Sequence, residues 1–141
     1  MSVGVFLITH DDIGISLIDS LQQMFANKLP LNIKALPVHH NSDPLAFCYY
    51  AEEIYASLEE GDGVLVLTDL FGATPCNIAI SLLNHYHVKI VAGLNFPMLV
   101  KIMSHVFTFP DATLDTLVDK ALTGGCQGVL DVSLLYPKSS T

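Results

Sequence analysis

The feature that most constrains the fold is a set of four short apolar segments separated by stretches of helical spacing. They cover residues 3–8, 31–36, 63–67 and 88–92, and they lack the strict alternation of a half-exposed strand. Such runs are typical of strands buried on both faces, as in a parallel sheet covered by helices. The sequence therefore predicts an α/β fold built around a buried parallel sheet.

Apolar residues at helical spacing fill the intervals between these segments. Ile13, Leu17 and Leu21 are spaced as on one face of a helix after the first strand. Pro75 stands at the expected first position of a helix after the third strand, where proline is favoured. The resulting order along the whole chain, βαβαβαβα(α)β, predicts a doubly wound, mostly parallel sheet with helices on both faces.

The C-terminal region is predicted to contain one helix and one strand. Residues 111–122 have helical spacing, and Gly124 with Gly125 is expected to end that helix. Partial alternation over residues 128–134 is typical of an edge or antiparallel strand. We therefore expect a C-terminal antiparallel edge strand in addition to the four parallel ones.

Length and composition limit the domain organisation and the classes of function. A chain of 141 residues is long enough for one core without disulfides or metal. Residues 1–135 are expected to form a single domain, followed by a flexible tail at 136–141. Fourteen acids against six bases give a net charge of −8, which argues against nucleic-acid binding because the phosphate backbone needs a basic face.

The expected cellular compartment follows from the lack of a membrane helix, a signal peptide and a disulfide pattern in the sequence. No apolar run reaches the ~18 residues of a membrane helix, and the N-terminus lacks the basic region and cleavage site of a signal peptide. The three cysteines form neither a disulfide framework nor a CxxC pair. A cytoplasmic protein is expected.

The candidate site lies where the predicted strands end. Ligands of parallel sheets bind outside the carboxyl ends of the strands, and His10 and Asp69 follow the first and third strands. If these strands are neighbours, the carboxylate can hold one imidazole nitrogen and leave the other free to attack a phosphoryl group. The turn at 72–74 opens a helix whose free N–H groups favour an anion. Phosphoryl transfer is the chemistry that these parts suit.

The same residues carry a family resemblance. The segments Ile8-Thr9-His10, D-L-F-G-A-T-P-C-N at 69–77 and G-L-N-F-P-M-L at 93–99 resemble the IIA domain of the mannose family of the bacterial phosphoenolpyruvate-dependent sugar phosphotransferase system. The middle motif is specific at this spacing, whereas threonine followed by histidine alone means little.

The resemblance implies a phosphocarrier. His10 would accept a phosphoryl group from the phosphocarrier protein HPr and pass it to a IIB component for sugar uptake, which links the protein indirectly to a membrane permease. Asp69 would orient the imidazole, and Thr74 with the backbone at Gly72 and Ala73 would contact the phosphate. No cofactor and no metal is implied.

The resemblance also implies a homodimer in which residues 128–134 are exchanged between subunits. Two phenylalanines near the site, Phe71 and Phe96, are candidates for partner docking, although core packing explains them equally well. His39 and His40 lie near Asp43, which invites a metal interpretation, but adjacent histidines in a polar loop are expected to be solvated.

One departure from the family pattern concerns the charge beside the histidine. The family commonly has glycine directly after it, whereas this chain has Asp11 and Asp12. A pair of like unit charges 4 Å apart costs about 1 kcal/mol in water and about 4 kcal/mol at an effective dielectric of 20. Either these side chains face solvent and cap the first helix, or they make the phosphohistidine give up its group readily.

The same residues fit several alternative functions. The same domain and histidine would suit the phosphotransfer subunit of a dihydroxyacetone kinase or a regulatory IIA protein that signals its phosphorylation state. A more remote alternative is a receiver-like switch, in which Asp11, Asp12 and Asp69 form an acidic Mg²⁺ pocket and carry an acyl phosphate. A flavodoxin-like module is a further class, but the loop after the first strand lacks its glycine- or hydroxyl-rich composition.

Overall fold

Four parallel strands form the central sheet in the order β2-β1-β3-β4. The computed structural model describes residues 2–138. Its strands are β1 (Gly4–His10), β2 (Ile33–Val38), β3 (Val64–Thr68) and β4 (Val88–Ala92). All three neighbouring pairs are parallel, so the predicted parallel sheet is confirmed.

Burial along the strands explains the missing alternation in the sequence. All residues of β3 are buried, and only the last residue of β1 is partly exposed. The outer strands are less enclosed, because Lys34 in β2 and Lys89 in β4 are exposed. A central strand covered on both faces has no solvent side, and its sequence is therefore continuously apolar.

Helices follow the strands and cover both faces of the sheet. They are α1 (Ile13–Met24), α2 (Pro44–Leu58), α3 (Thr74–Ile80), α4 (Phe96–Thr108) and α5 (Leu114–Gln127), with short 3₁₀ helices at Ser81–Asn84 and Val132–Leu134. Leu21, Leu99 and Leu117 place α1, α4 and α5 in one buried cluster. Ala51 and Ile78 place α2 and α3 in the cluster on the opposite face. The doubly wound arrangement is thus confirmed.

The predicted end of the last helix is wrong, because α5 continues through Gly124 and Gly125 to Gln127. A Cβ atom added at Gly124 would lie 2.5 Å from the Cβ of Lys101, and one added at Gly125 would lie 3.0 Å from the Cε of Met98. Both contacted residues belong to α4. The glycines therefore permit close packing of α5 on α4 and do not end the helix.

The predicted C-terminal edge strand is not confirmed. Within residues 2–138 the sheet has four strands, and the end of the 128–134 segment is the 3₁₀ helix Val132–Leu134, where the carboxylate of Asp131 accepts from the N–H of Ser133 at 3.0 Å. A strand needs a neighbouring backbone to bond, and among residues 2–138 this segment pairs with no strand of the sheet. Its exposed apolar side chains are Val129, Leu130, Val132, Leu134, Leu135 and Tyr136.

Two further expectations concern the ends of the chain and the membrane. Of the predicted flexible tail at 136–141, residues 139–141 lie outside the described part of the structure, and residues 136–138 are exposed.

Among the helices of residues 2–138, none is long and apolar enough to cross a membrane.

Candidate functional site

The candidate site lies at the carboxyl edge of the two central strands. β1 ends at His10, and β3 ends at Thr68, one residue before Asp69. Because β1 and β3 are parallel neighbours with Ile8 opposite Thr68, the residues that follow in each strand reach the same edge. The sheet order therefore brings His10 and Asp69 together across 59 positions of sequence.

The contact between His10 and Asp69 fixes the imidazole. Oδ2 of Asp69 lies 2.8 Å from Nδ1 of His10 and also accepts from the backbone N–H of His10 at 3.1 Å. The side chain of His10 is 43% exposed and that of Asp69 is 14% exposed. An ionised carboxylate can only accept hydrogen bonds, so the hydrogen of a neutral ring is held on Nδ1 and the lone pair is left on Nε2.

The remaining oxygen of Asp69 is unusual. Oδ1 is buried and has no hydrogen-bond partner among residues 2–138. Leaving a buried acceptor unpaired is costly, and native structures contain few such atoms. Asp69 is therefore held in place chiefly by His10, and its second oxygen contributes no structural bond of its own within the described chain.

Thr9 links the backbone of His10 to the start of α1, a role that the sequence analysis did not identify. Its buried hydroxyl accepts from the backbone N–H of Gly14 at 2.9 Å and donates to the carbonyl oxygen of His10 at 3.3 Å. Gly14 lies in the first turn of α1, so this hydroxyl satisfies one of the free N–H groups that begin the helix. The available signal was the hydroxyl residue directly before His10 in the motif.

The turn after β3 leads the chain into α3. Gly72 has φ +86°, and a Cβ atom there would meet nothing within 4 Å, so glycine is required by backbone conformation and not by crowding. Ala73 is the residue before the first turn of α3, and its N–H donates to the carbonyl oxygen of Leu70 at 3.5 Å. Thr74 is exposed and begins the helix, with its hydroxyl not used as a cap.

An open cleft of about 430 Å³ adjoins the histidine. Its lining includes His10, Asp11, His39, His40 and Thr74. The structure thus brings the predicted hydroxyl of Thr74 into the same cleft as His10. The other two predicted phosphate-contacting positions, Gly72 and Ala73, lie in the adjoining turn and do not line the cleft.

The two phenylalanines near the site differ in accessibility. Phe71 is 80% exposed in the turn after β3. Phe96 is partly buried at the start of α4 and packs against the apolar cluster that contains Leu99. Phe71 is therefore available to a partner protein, whereas much of Phe96 belongs to the core.

The two aspartates after His10 have different surroundings. Asp11 has φ +44°, and its Oδ1 lies 3.0 Å from Nδ1 of His39. Asp12 occupies the position before α1 without a side-chain cap bond, while its carbonyl oxygen accepts from the N–H of Ser16. Both side chains face solvent, as the first of the two interpretations expects, but neither caps α1 with a side-chain hydrogen bond.

His39 also differs from its sequence-based interpretation, because it is paired with Asp11 and not merely solvated. The signal that could have found this pair is the parallel pairing of β1 and β2, which places the residues after each strand side by side. Among residues 2–138, no group of three or more His, Cys, Asp or Glu side chains is arranged to hold a metal ion.

Comparison with known proteins identifies the family. Residues 4–122 match the family model EIIA-man, described as the PTS system fructose IIA component. The mannose-specific EIIAB component of the phosphotransferase system of Escherichia coli K12 is 27% identical over 130 residues, which are 92% of this chain and 39% of that protein. The chain thus spans about two-fifths of the length of the curated relatives that it matches.

Solved structures share the fold. The mannose/sorbose specific IIA subunit from Enterococcus faecalis superposes with a TM-score of 0.82 at 23% identity, covering 99% of this chain and 100% of that one. Component EIIA from Streptococcus agalactiae gives a TM-score of 0.79 at 23% identity, covering 94% and 98%. At these identities the superpositions establish the architecture alone.

Proposed function

Because the chain belongs to the EIIA-man family of phosphotransferase-system IIA components, we propose that it is a phosphocarrier that holds the phosphoryl group on His10. The single observation that carries this proposal is the 2.8 Å contact between Nδ1 of His10 and Oδ2 of Asp69. It leaves Nε2, the nitrogen needed for attack, free at the edge of the cleft.

The reaction is an exchange of one nitrogen–phosphorus bond for another. Nε2 of His10 attacks the phosphorus of a phosphohistidine on HPr, and the donor's N–P bond breaks as the new bond forms. Asp69 keeps its hydrogen bond to Nδ1–H throughout, which stabilises the positive charge that develops on the ring. The phosphoryl group then leaves His10 in the same manner, toward a nucleophile on a IIB component.

The turn before α3 receives the phosphoryl oxygens. The hydroxyl of Thr74 lines the cleft beside His10, and the backbone N–H groups at Gly72 and Ala73 belong to the same turn. N–H groups at the start of a helix favour an anion. The N–H of Ala73 would exchange its long 3.5 Å bond to the carbonyl oxygen of Leu70 for one to the phosphoryl group. These three residues would therefore stabilise the charge of phosphorylated His10.

Phe71 would contact the partner proteins. HPr and the IIB component must each bring a reactive group to Nε2 of His10, so their docking surface surrounds the cleft. Phe71 is exposed in the turn that also contains Asp69, and aromatic side chains often carry binding energy in protein interfaces. Phe96 would contribute only its exposed edge.

The proposal extends to assembly and place in the cell. The curated E. coli relative is an EIIAB component, which supports a B-type component as the acceptor, with sugar uptake through a membrane permease as the outcome. The exposed apolar side chains between Val129 and Tyr136 support a homodimer in which this segment pairs with a second subunit. Phosphoryl transfer from HPr and to a IIB component requires that all three proteins share one compartment, which we infer to be the cytoplasm.

The test is phosphorylation by the donor system. The purified chain is incubated with labelled phosphoenolpyruvate, enzyme I and HPr, in parallel with His10→Ala and with His87→Gln as a matched control at the opposite edge of the sheet. We expect labelling of the wild-type chain and of His87→Gln, and none of His10→Ala. Equal labelling of His10→Ala would overturn the proposal.

A further inference from the structure

A second carboxylate–imidazole pair lines the cleft that contains His10. Oδ1 of Asp11 lies 3.0 Å from Nδ1 of His39, and both residues line the same cleft as His10 and Thr74. In both pairs the carboxylate meets Nδ1, which leaves Nε2 of His39 free, as it does for His10. The pair is more exposed than the first, at 57% for His39 and 72% for Asp11.

The pair follows from the pairing of β1 with β2. His10 lies opposite Val38 in the parallel register, so the residues that follow each of them, Asp11 and His39, leave the sheet side by side. The backbone N–H of Asp11 also donates to the carbonyl oxygen of Val38 at 3.0 Å. Both strand ends are thus joined by backbone before their side chains meet.

The loop that carries His39 is held in place as well. The N–H of His39 donates to the hydroxyl of Ser42 at 2.9 Å, and the N–H of Ser42 donates to the carbonyl oxygen of His39 at 2.9 Å. Asp11 contributes its left-handed backbone, with φ +44°, a conformation that aspartate tolerates better than most residues. The positions of both side chains are therefore set by local backbone bonds.

Charge defines what this pair can do. A phosphoryl group on His10 would bring a charge of roughly −2 into a cleft that already contains the Asp11 carboxylate. An imidazolium at His39 can donate Nδ1–H to Asp11 and Nε2–H toward the cleft at the same time, because a protonated ring has two donors. It would cancel the charge of Asp11 and attract the phosphoryl oxygens.

We propose that His39, positioned by Asp11, is a second phosphoryl-binding residue that stabilises phosphorylated His10. The proposal rests on the phosphocarrier function argued above. It assigns Asp11 a role different from repelling the phosphoryl group: the carboxylate orients His39, and the imidazolium form of His39 would present Nε2–H to the cleft.

The test is the equilibrium between HPr and this protein. Phosphorylated HPr is mixed with wild type, His39→Gln, His39→Lys and the double variant Asp11→Asn/His39→Gln, and the phosphorylated fraction of each is measured by phosphate-affinity electrophoresis. Thermal unfolding confirms that each variant is folded, and His87→Gln serves as the matched control. Each equilibrium constant is compared with that of the wild type.

The expected pattern depends on charge. His39→Gln lowers the equilibrium constant for phosphorylation by about fivefold, the upper size of interactions between exposed charges. His39→Lys stays within about twofold of wild type because lysine supplies a cation at this position. In the double variant Asp11→Asn/His39→Gln, the logarithm of the equilibrium constant recovers at least half of the decrease seen in His39→Gln. The reason is that this variant no longer has the Asp11 carboxylate, which His39→Gln leaves without its histidine partner.

Three results would overturn the inference while wild type still carries the group on His10. They are an unchanged constant in His39→Gln, a double variant as impaired as His39→Gln, and phosphoryl transfer to His39 itself in His10→Ala. If wild type takes up no phosphoryl group at all, the proposed function fails first and the inference falls with it. That failure is visible in the wild-type sample alone and is thus distinguishable.

Discussion

Nδ1 of His10 lies 2.8 Å from Oδ2 of Asp69, although 59 positions separate the two residues in the chain. The same oxygen accepts from the backbone N–H of His10 at 3.1 Å, so main chain and side chain of the histidine share one acceptor. This geometry depends on β1 and β3 being neighbours in the sheet. The orientation of the imidazole is therefore a consequence of the fold.

Replacing Asp69 with asparagine tests that orientation. The substitution keeps the shape but removes the charge that holds Nδ1–H, and a hydrogen bond to a charged group contributes about 1.5–3 kcal/mol. We expect the rate of phosphoryl transfer from HPr to fall roughly ten- to hundredfold. Rapid-quench labelling measures the rate, and Asp62→Asn, an exposed carboxylate at the opposite edge of the sheet, is the matched control. A wild-type rate in Asp69→Asn would contradict the proposed role.

Replacing Phe71 with alanine tests partner docking. The side chain is 80% exposed, so its removal should leave stability within about 0.5 kcal/mol. We expect KM for phosphorylated HPr to rise about fivefold or more, as for truncated aromatic contacts in interfaces, with kcat little changed. Steady-state transfer assays measure both constants, with the exposed Tyr86→Ala as control. Equal KM values for the two variants would remove Phe71 from the docking surface.

Replacing Gly124 with alanine tests the packing of α5 on α4. In an unobstructed helix, alanine in place of glycine stabilises by roughly 0.5–1 kcal/mol. Here the new Cβ would lie 2.5 Å from the Cβ of Lys101, so we expect a net loss of about 1–3 kcal/mol from overpacking. Urea unfolding measures the change, and Cys126→Ala, at an exposed position of the same helix, is the control. A stabilised Gly124→Ala would show that the helices can move apart at no cost.

The pH dependence of stability is expected to involve His105. Burial lowers the pKa of this imidazole below its ordinary value of 6.5, and the nearby Lys120 and Lys101 lower it further. At pH values between the lowered pKa of folded His105 and about 6.5, the unfolded chain binds more protons than the folded one. The free energy of unfolding therefore rises with pH across this range, and the protein is less stable on its acidic side.

His105→Gln should make this dependence shallower. Unfolding free energies measured by urea titration at several values between about pH 7 and pH 5 give the slope, whatever uniform change the substitution also causes. Lys120→Gln should reduce the slope less, because burial is the larger cause. An unchanged slope in His105→Gln would place the acid sensitivity on other groups.

Much of the fold could be predicted because it depends on local pattern. The continuously apolar runs of β1 and β3 are what a strand buried on both faces requires, and Pro75 in the first turn of α3 is a local signal of a helix start. The meeting of His10 with Asp69 was predictable as soon as neighbouring parallel strands were assumed, because their carboxyl ends share one edge.

The remainder depended on contacts that no local pattern encodes. A glycine pair such as Gly124 and Gly125 is a common signal for the end of a helix, yet here α5 continues through it. The close approach of Lys101 in α4 explains why position 124 is glycine. The pairing of Asp11 with His39 required both the β1–β2 register and a left-handed backbone at Asp11. The partial alternation over residues 128–134 is present in the sequence, but a strand also needs a partner backbone, and residues 2–138 of one chain supply none to this segment.

The most direct measurement is the identity of the phosphorylated atom. The protein, labelled with ¹⁵N in its imidazoles, is phosphorylated by HPr, and proton–nitrogen correlation spectra of the histidine rings show which nitrogen is bonded to phosphorus. The geometry of His10 and Asp69 predicts a single phosphohistidine at Nε2 of His10, with Nδ1 retaining its hydrogen. Phosphorus on Nδ1 of His10, or on any other residue while His10 stays unmodified, would contradict the proposed mechanism.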